Sequence, residues 1–198
     1  MTPFPPRGSS ATRTGGRGFT LIELMVTISL MAVILAIAAP NFVGYRRNAE
    51  LSSISNSFLA ALNAARTEAM KRNMFALVTP QTSDNDWSKG WVVFVDTDND
   101  MAFDGTKDIL VMQQEAPPAY ITLSGNNSTA ASPSYVRYDG SGFSRPANSD
   151  PPNTTLTIAR NDASTDYRQI RRVKIGATGR AKICTPKASD DVNCLSSD

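Results

Sequence analysis

The chain has 198 residues, 41% of them hydrophobic, a formal net charge of +2, no histidine and two cysteines. That length suits one domain with an appendage or one large domain, and the composition excludes wholesale disorder. Without histidine there is no histidine-based acid–base catalysis and no His-containing metal site, and two cysteines alone build neither a structural zinc site nor an iron–sulfur cluster.

Residues 1–18, MTPFPPRGSSATRTGGRG, are rich in Pro, Gly, Ser and Thr, and their only charges are Arg7, Arg13 and Arg17. Such a stretch cannot form a core. The next segment, Phe19 to Ala39, is 21 residues long with one charge, Glu23. As a helix it would reach roughly 31 Å, about the thickness of a bilayer hydrocarbon core. Three arginines precede it and the next basic residue is Arg46, so the positive-inside rule expects a cytoplasmic N-terminus and an exported remainder. A cleaved secretory signal would have a shorter apolar run followed by a small-residue cleavage site, whereas here only Pro40 interrupts. A carboxylate in the first turns of a membrane segment costs on the order of 2–3 kcal/mol unless partnered. Cleavage between Gly18 and Phe19 would create an α-amino group at the membrane face. The Glu23 carboxylate of one subunit could pair with that ammonium on a neighbour, and burial would strengthen the pair.

Gly18 to Leu24, GFTLIEL, resembles the class III signal of type IV prepilins and type II secretion pseudopilins: glycine, aromatic residue, then an acid at the fifth mature position before an apolar run. The resemblance implies cleavage after Gly18 by a prepilin peptidase, N-methylation of Phe19, subunit docking through Glu23 and a helix kink at Pro40.

After Pro40, residues Leu51, Ile54, Phe58, Ala61, Leu62, Ala65 and Ala69 recur at three- and four-residue spacing. One helix from Phe19 to about Asn73 is therefore expected, loosened near Pro40 and Gly44, with its second half on a sheet. From Met74 the signals are β: 74–79, 90–96, 108–114, 135–140, 155–160 and 171–176 are rich in β-branched and aromatic residues. A turn at Thr178-Gly179 then leads to a short strand ending at Cys184. The segment Ser124–Pro133 reads as a flexible loop. The expected architecture is α+β, a long helix packed on an antiparallel sheet domain. Its parts are a leader at 1–18, a hydrophobic transmembrane and assembly helix at 19–40, an amphipathic continuation at 41–73, and a β-rich domain at 74–198 with a C-terminal disulfide loop.

The run A-R-T-E-A-M-K-R (65–72), a strand, and then W-x-x-G-W-V-V-F-x-D are similar to the minor pilin and pseudopilin group that includes FimT- and FimU-type pilins and the H-type pseudopilin. The resemblance implies the pilin fold and a non-enzymatic subunit. Its partners would be other minor and major pilins, the prepilin peptidase and the inner membrane, before transfer to a pilus or pseudopilus.

Asp96, Asp98, Asp100 and Asp104 suggest calcium, which prefers oxygen ligands. An EF-hand loop starting at Asp96 would need Gly at 101 and Glu at 107, where the chain has Met101 and Lys107. A polar hairpin loop serves as well, and neither a metal nor a cofactor is expected. Cys184 and Cys194, ten positions apart, are expected to form a bridge in an oxidising compartment. The stretch Arg168–Lys187 carries seven basic side chains and no acid, while 84–108 holds seven aspartates. Gly179-Arg180-Ala181-Lys182 is similar to the G-R-x-R element linked with DNA binding in FimT-type pilins. Arg171, Arg172, Arg180 and Lys182 are accordingly candidate DNA-binding residues.

The leading expectation is a minor type IV pilin, FimU- or FimT-like, that joins other minor pilins to prime or cap a pilus. An H-type pseudopilin of a type II secretion system and a DNA-binding pilin for natural transformation are the alternatives. Loss of the leader would remove three of 20 basic side chains, leaving 17 against 18 acidic ones.

Overall fold

A computed structural model of the chain describes residues 18–147, 151, 153–162 and 166–196. The expectations for residues 1–17 lie outside that range. The chain divides into two compact units, Met1–Gly44 and Tyr45–Asp198.

Helix α1 runs Leu21–Arg72, with Glu23 in its first turn and Lys71 and Arg72 in its last, each placed to complement the helix dipole. Glu68 accepts hydrogen bonds from Lys71 (3.0 Å) and Arg72 (2.7 Å), tying the last turn together. Asn73 ends the helix in the left-handed region, φ 52°, a conformation asparagine tolerates better than most residues. Pro40 sits within the helical span, but the side chains of residues 38–41, and with them the expected kink, lie outside the described set. Among the described residues no single helix is long and apolar enough to cross a membrane; Leu21–Ile37 and Phe42–Arg72 meet that condition only together.

Eight strands follow: β1 Phe75–Pro80, β2 Gly90–Asp96, β3 Ile109–Glu115, β4 Ile121–Gly125, β5 Val136–Tyr138, β6 Thr154–Arg160, β7 Ile170–Ile175 and β8 Ala181–Cys184. They bear out the expected antiparallel sheet domain on a long helix. They make two four-stranded antiparallel sheets, ordered β3-β2-β1-β5 and β4-β6-β7-β8. The chain changes sheets after β3, returns for β5 and leaves again for β6.

Register decides which side chains meet the helix. In the first sheet Ala76, Val95 and Tyr138 are cross-strand partners and share a face, as do Val78, Val93 and Val136. In the second sheet Leu156 pairs with Val173, Thr154 with Ile175, and Leu123 with Ile158. These inward faces close on Leu51, Phe58, Ala61, Leu62, Ala65 and Ala69 of α1, all fully buried, in one core. The alanines let both sheets approach the helix closely, and Phe58 sits edge-on to Trp87 (5.5 Å) and Trp91 (5.2 Å). A second cluster, Leu77, Val92, Phe94 and Tyr135, lies on the opposite face of the first sheet under Met101 and Ala131.

The segment Ser124–Pro133 is not a flexible loop. It contains the end of β4 and a 3₁₀ turn, Asn127–Ala130, whose Ser128 and Thr129 are buried. The Asn126 side chain accepts from Thr155 N–H (2.6 Å), and the Thr129 hydroxyl accepts from Asn126 N–H (3.0 Å). Short polar side chains satisfy the buried backbone here, and so a stretch of loop-like composition is held rigidly. Strand β4 escaped the sequence reading because it has only five positions and its end runs into the polar segment that starts at Ser124.

Candidate functional site

The described part of the first unit starts with Gly18, Phe19 and Thr20, with Phe19 80% exposed. The Thr20 hydroxyl accepts from Glu23 N–H at 3.2 Å, and the Thr20 carbonyl accepts from Leu24 N–H at 3.1 Å. Thr20 is thus the N-cap of α1, and Thr20-Leu21-Ile22-Glu23 has the spacing of a capping box. Sequence reading gave Glu23 an intermolecular role and overlooked this local one; the T-x-x-E spacing was the available signal. From Leu21 to Ile37 every large apolar side chain is at least 51% exposed. No lysine or arginine occurs between Gly18 and Tyr45. Among its described residues the unit is therefore an exposed apolar helix bearing one exposed carboxylate and no lysine or arginine to neutralise it.

In the second unit the four basic candidates separate. Arg172, on β7, is 8% exposed and its guanidinium donates to the Cys194 carbonyl. It is a buried clamp on the C-terminal loop, and its assignment to DNA is corrected by that burial. Arg171 points the other way along the strand. It donates to the carbonyls of Arg168 (2.8 Å) and Ile170 (2.9 Å) and to Ser52 of α1 (3.3 Å). Burial lowers its pKa from the usual arginine value. Its guanidinium is committed to the helix–sheet junction and does not share a surface with Arg180.

Arg180 and Lys182 are exposed, and Lys174 joins them, because register sets Lys174 directly opposite Lys182 on the outer face of the second sheet. Like charges directly opposed destabilise a strand pair. These three cations line a groove of about 900 Å³ with Asn127, Asn153 and Thr178, and among the described residues no carboxylate lines it. Lys174 was missed at the sequence level because only strand pairing brings it beside Lys182.

Cys184 and Cys194 are disulfide-bonded, with Cα atoms 5.9 Å apart. The bridge and the Arg172 clamp hold the C-terminal loop on the outer face of the second sheet. Asn126 adds a third tie by donating to the Ser196 carbonyl (2.8 Å).

The acidic loop between β2 and β3 is internally organised. Buried Asp96 accepts from the N–H groups of Asn99 (2.7 Å) and Met101 (3.1 Å), and Asp108 accepts from those of Thr97 (3.0 Å) and Asp104 (2.9 Å). Desolvation raises the Asp96 pKa, while the hydrogen bond from Lys107 lowers that of Asp98. Asp96, Asp98 and Asp108 bring oxygens within 4.8 Å of one another. Each also accepts a hydrogen bond within the protein.

Arg66 was also missed. From α1 it donates to the carbonyls of Gly142 (2.9 Å) and Thr178 (3.2 Å), joining the turn after β5 to the turn before β8. Nothing in sequence marks it, since its partners are backbone atoms over 70 residues away.

Two family descriptions match the chain: "Type II transport protein GspH" over residues 55–179 and "Prokaryotic N-terminal methylation motif" over 13–39. Prepilin peptidase-dependent protein D of Escherichia coli K12 is 40% identical over 55 residues, 28% of this chain and 38% of the relative. The type IV major pilin protein PilA of Myxococcus xanthus is 30% identical over 60 residues, 30% of this chain and 27% of the relative. The chain thus spans between a quarter and two-fifths of the length of these relatives. A crystal structure of the Pseudomonas aeruginosa PAO1 type IV minor pilin FimU aligns with TM-score 0.54 at 22% identity, covering 72% of this chain and 93% of that one. At that identity the likeness establishes a shared fold.

Proposed function

The chain belongs to the GspH family of type II transport proteins, and from that premise we propose that it is a minor type IV pilin that joins other minor pilins to prime or cap a pilus. On the coarser scale it is a subunit of the pilin and pseudopilin type, and its N-terminal helix carries the methylation motif. A prepilin peptidase would cut between Gly18 and Phe19, and the new Phe19 amine would be methylated. The helix would hold the subunit in the inner membrane, N-terminus cytoplasmic and second unit periplasmic, until assembly.

The observation that carries this reading is the described part of the first unit: an exposed apolar helix with Glu23 near its start and no lysine or arginine between Gly18 and Arg46. A lone carboxylate entering an apolar helix bundle costs several kcal/mol unless a positive group meets it. With no lysine or arginine in the segment, the α-amino group of a neighbouring Phe19 is the partner this chemistry supplies. Glu23→Ala should leave cleavage and methylation of Phe19 intact, read by mass spectrometry of the N-terminus, and exclude the subunit from sheared pili. Wild-type incorporation of that variant would refute the docking role.

The match to GspH over 55–179 favours a second reading, an H-type minor pseudopilin. Co-purification with pilus subunits or with secretion-system subunits separates the two. The DNA-binding alternative keeps only Arg180 and Lys182 of its four expected residues, so assembly is the reading adopted.

A further inference from the structure

Arg172 stands where the two halves of the disulfide meet. Strand pairing sets it directly opposite Cys184, so the two side chains leave the second sheet on one face, with Cβ atoms about 5 Å apart. Its guanidinium donates to the Cys194 carbonyl. Arg172 is 8% exposed and Cys194 1%, while Cys184 is half-buried. One buried cation thus holds the backbone of one cysteine and flanks the side chain of the other.

The intervening loop is shaped by bonds that involve no sulfur. Asp191 accepts from the N–H groups of Lys187 (3.0 Å) and Asn193 (3.1 Å), and Cys194 N–H donates to the Asp191 carbonyl (2.9 Å). The bonds from Lys187 and Asn193 hold the Asp191 carboxyl below its ordinary range, and the Arg172 charge adds to the effect. All these contacts are open to the dithiol chain, so the loop can be seated before the sulfurs join. The Arg172 guanidinium also has a donor to spare: its Nε–H is buried and meets no acceptor among the described residues. A buried donor left unpaired costs free energy in the oxidised fold. In the dithiol chain a thiolate on Cys184 is the anion that strand register sets beside it, and a neighbouring guanidinium favours that ionised form.

We propose that Arg172 is the positioning residue for oxidation of the Cys184–Cys194 pair, seating Cys194 over Cys184 and making Cys184 the sulfur that meets the oxidant. The oxidant is a disulfide, R–S–S–R. The Cys184 thiolate attacks one of its sulfurs, the R–S–S–R bond breaks and one RS⁻ leaves. Cys194 then gives its proton to water and attacks the Cys184 sulfur; the protein S–S bond forms and the second RS⁻ leaves. Two electrons pass from the cysteine pair to the oxidant, and each RS⁻ takes a proton from solvent. Arg172 faces Cys184 only when β7 and β8 pair in register, so the bridge closes on a sheet already folded and then locks it. This step goes beyond the assembly reading and does not depend on it.

Reduced full-length protein in detergent micelles, mixed with glutathione disulfide, quenched with acid at intervals and read by mass spectrometry, tests it. In the wild type the mixed disulfide of Cys184 with glutathione should be too short-lived to accumulate, because a seated Cys194 attacks as an intramolecular nucleophile at high effective concentration. R172M should lengthen that lifetime on the order of tenfold. R172K keeps a charge and a donor but not the planar fork, and should fall between the two. A side chain that only braces the finished loop would leave the lifetime unchanged, and that result overturns the proposal. Near-ultraviolet circular dichroism of the buried Trp87 and Trp91 shows whether R172M keeps its core. If it does not, R172K decides: a lifetime longer than wild type supports the proposal, and an equal one overturns it. In a second arm, C194S should take up glutathione at Cys184 about tenfold faster than C184S does at the buried Cys194. Equal rates, or faster reaction at Cys194, overturn the assignment of Cys184.

Discussion

Individual residues in this protein often serve local geometry where their type suggests chemistry. Gly179 is the clearest example. It sits at φ +76°, and a Cβ built on it would stand 1.9 Å from the Gly142 carbonyl oxygen. The glycine of the G-R-x-K run is therefore required for the close approach of two turns, whatever its neighbours bind. Gly179→Ala should cost about 2–4 kcal/mol from backbone strain and displacement of the Gly142 turn. Gly176→Ala, whose Cβ would meet nothing nearer than 3.8 Å, should be close to neutral. Thermal melting of the two variants checks the contrast, and equal melting temperatures would contradict it. The basic residues carry the same lesson. Arg171, Arg172 and Arg180 look alike in sequence, yet one braces a helix, one clamps a loop and one is free in solvent.

Between elements, polar ties fasten α1 to the second sheet. Asp162, beyond β6, bonds Arg160 at 2.9 Å and also pairs with Arg47 of α1. The bond from Arg160, with that from Arg47, pulls the Asp162 pKa down to about 2. Glu50 accepts from the Tyr120 hydroxyl beside this pair. A carboxyl whose folded pKa is depressed adds stability above its unfolded value of about 3.9, and loses it as pH falls toward the folded value. Between about pH 4 and pH 2 the wild type should therefore lose stability more steeply than Asp162→Asn. At neutral pH that variant should be weaker by about 1–3 kcal/mol, because the Arg160 side chain, 5% exposed, loses its charged partner. Melting temperatures across the acid range test this; parallel curves would show that the pair does not couple folding to pH.

Taken whole, the second unit is two sheets sharing one helix, and Phe58 is where the three meet. Fully buried between Trp87 and Trp91, it reports on the entire core. Phe58→Ala should cost about 3–5 kcal/mol and Phe58→Leu distinctly less. Both should alter the near-ultraviolet circular dichroism of the tryptophans, and an unchanged spectrum would mean that the aromatic cluster is not formed.

The sequence alone determined the periodic and the covalent. The 3.6-residue stripe from Leu51 to Ala69 located the buried face of α1, because a helix must bury a contiguous row. Seven of the eight strands were visible, most because alternation and β-branching mark a half-buried ribbon and the last because a Gly-containing turn precedes it. GFTLIEL identified the family resemblance because a short motif carries its meaning in order and spacing, and the bridge between Cys184 and Cys194 needed only two cysteines near one another. Tertiary structure decided everything that depends on partners distant in the chain. It divided the strands between two sheets, ordered the polar segment 124–133 through Asn126 and Thr129, and set Arg66 between two turns. It also took Arg171 and Arg172 out of the basic surface and put Lys174 into it. The physical reason is the same in each case: strand pairing and burial assign a side chain to a face, and no local pattern of residue types records which distant strand will lie beside it.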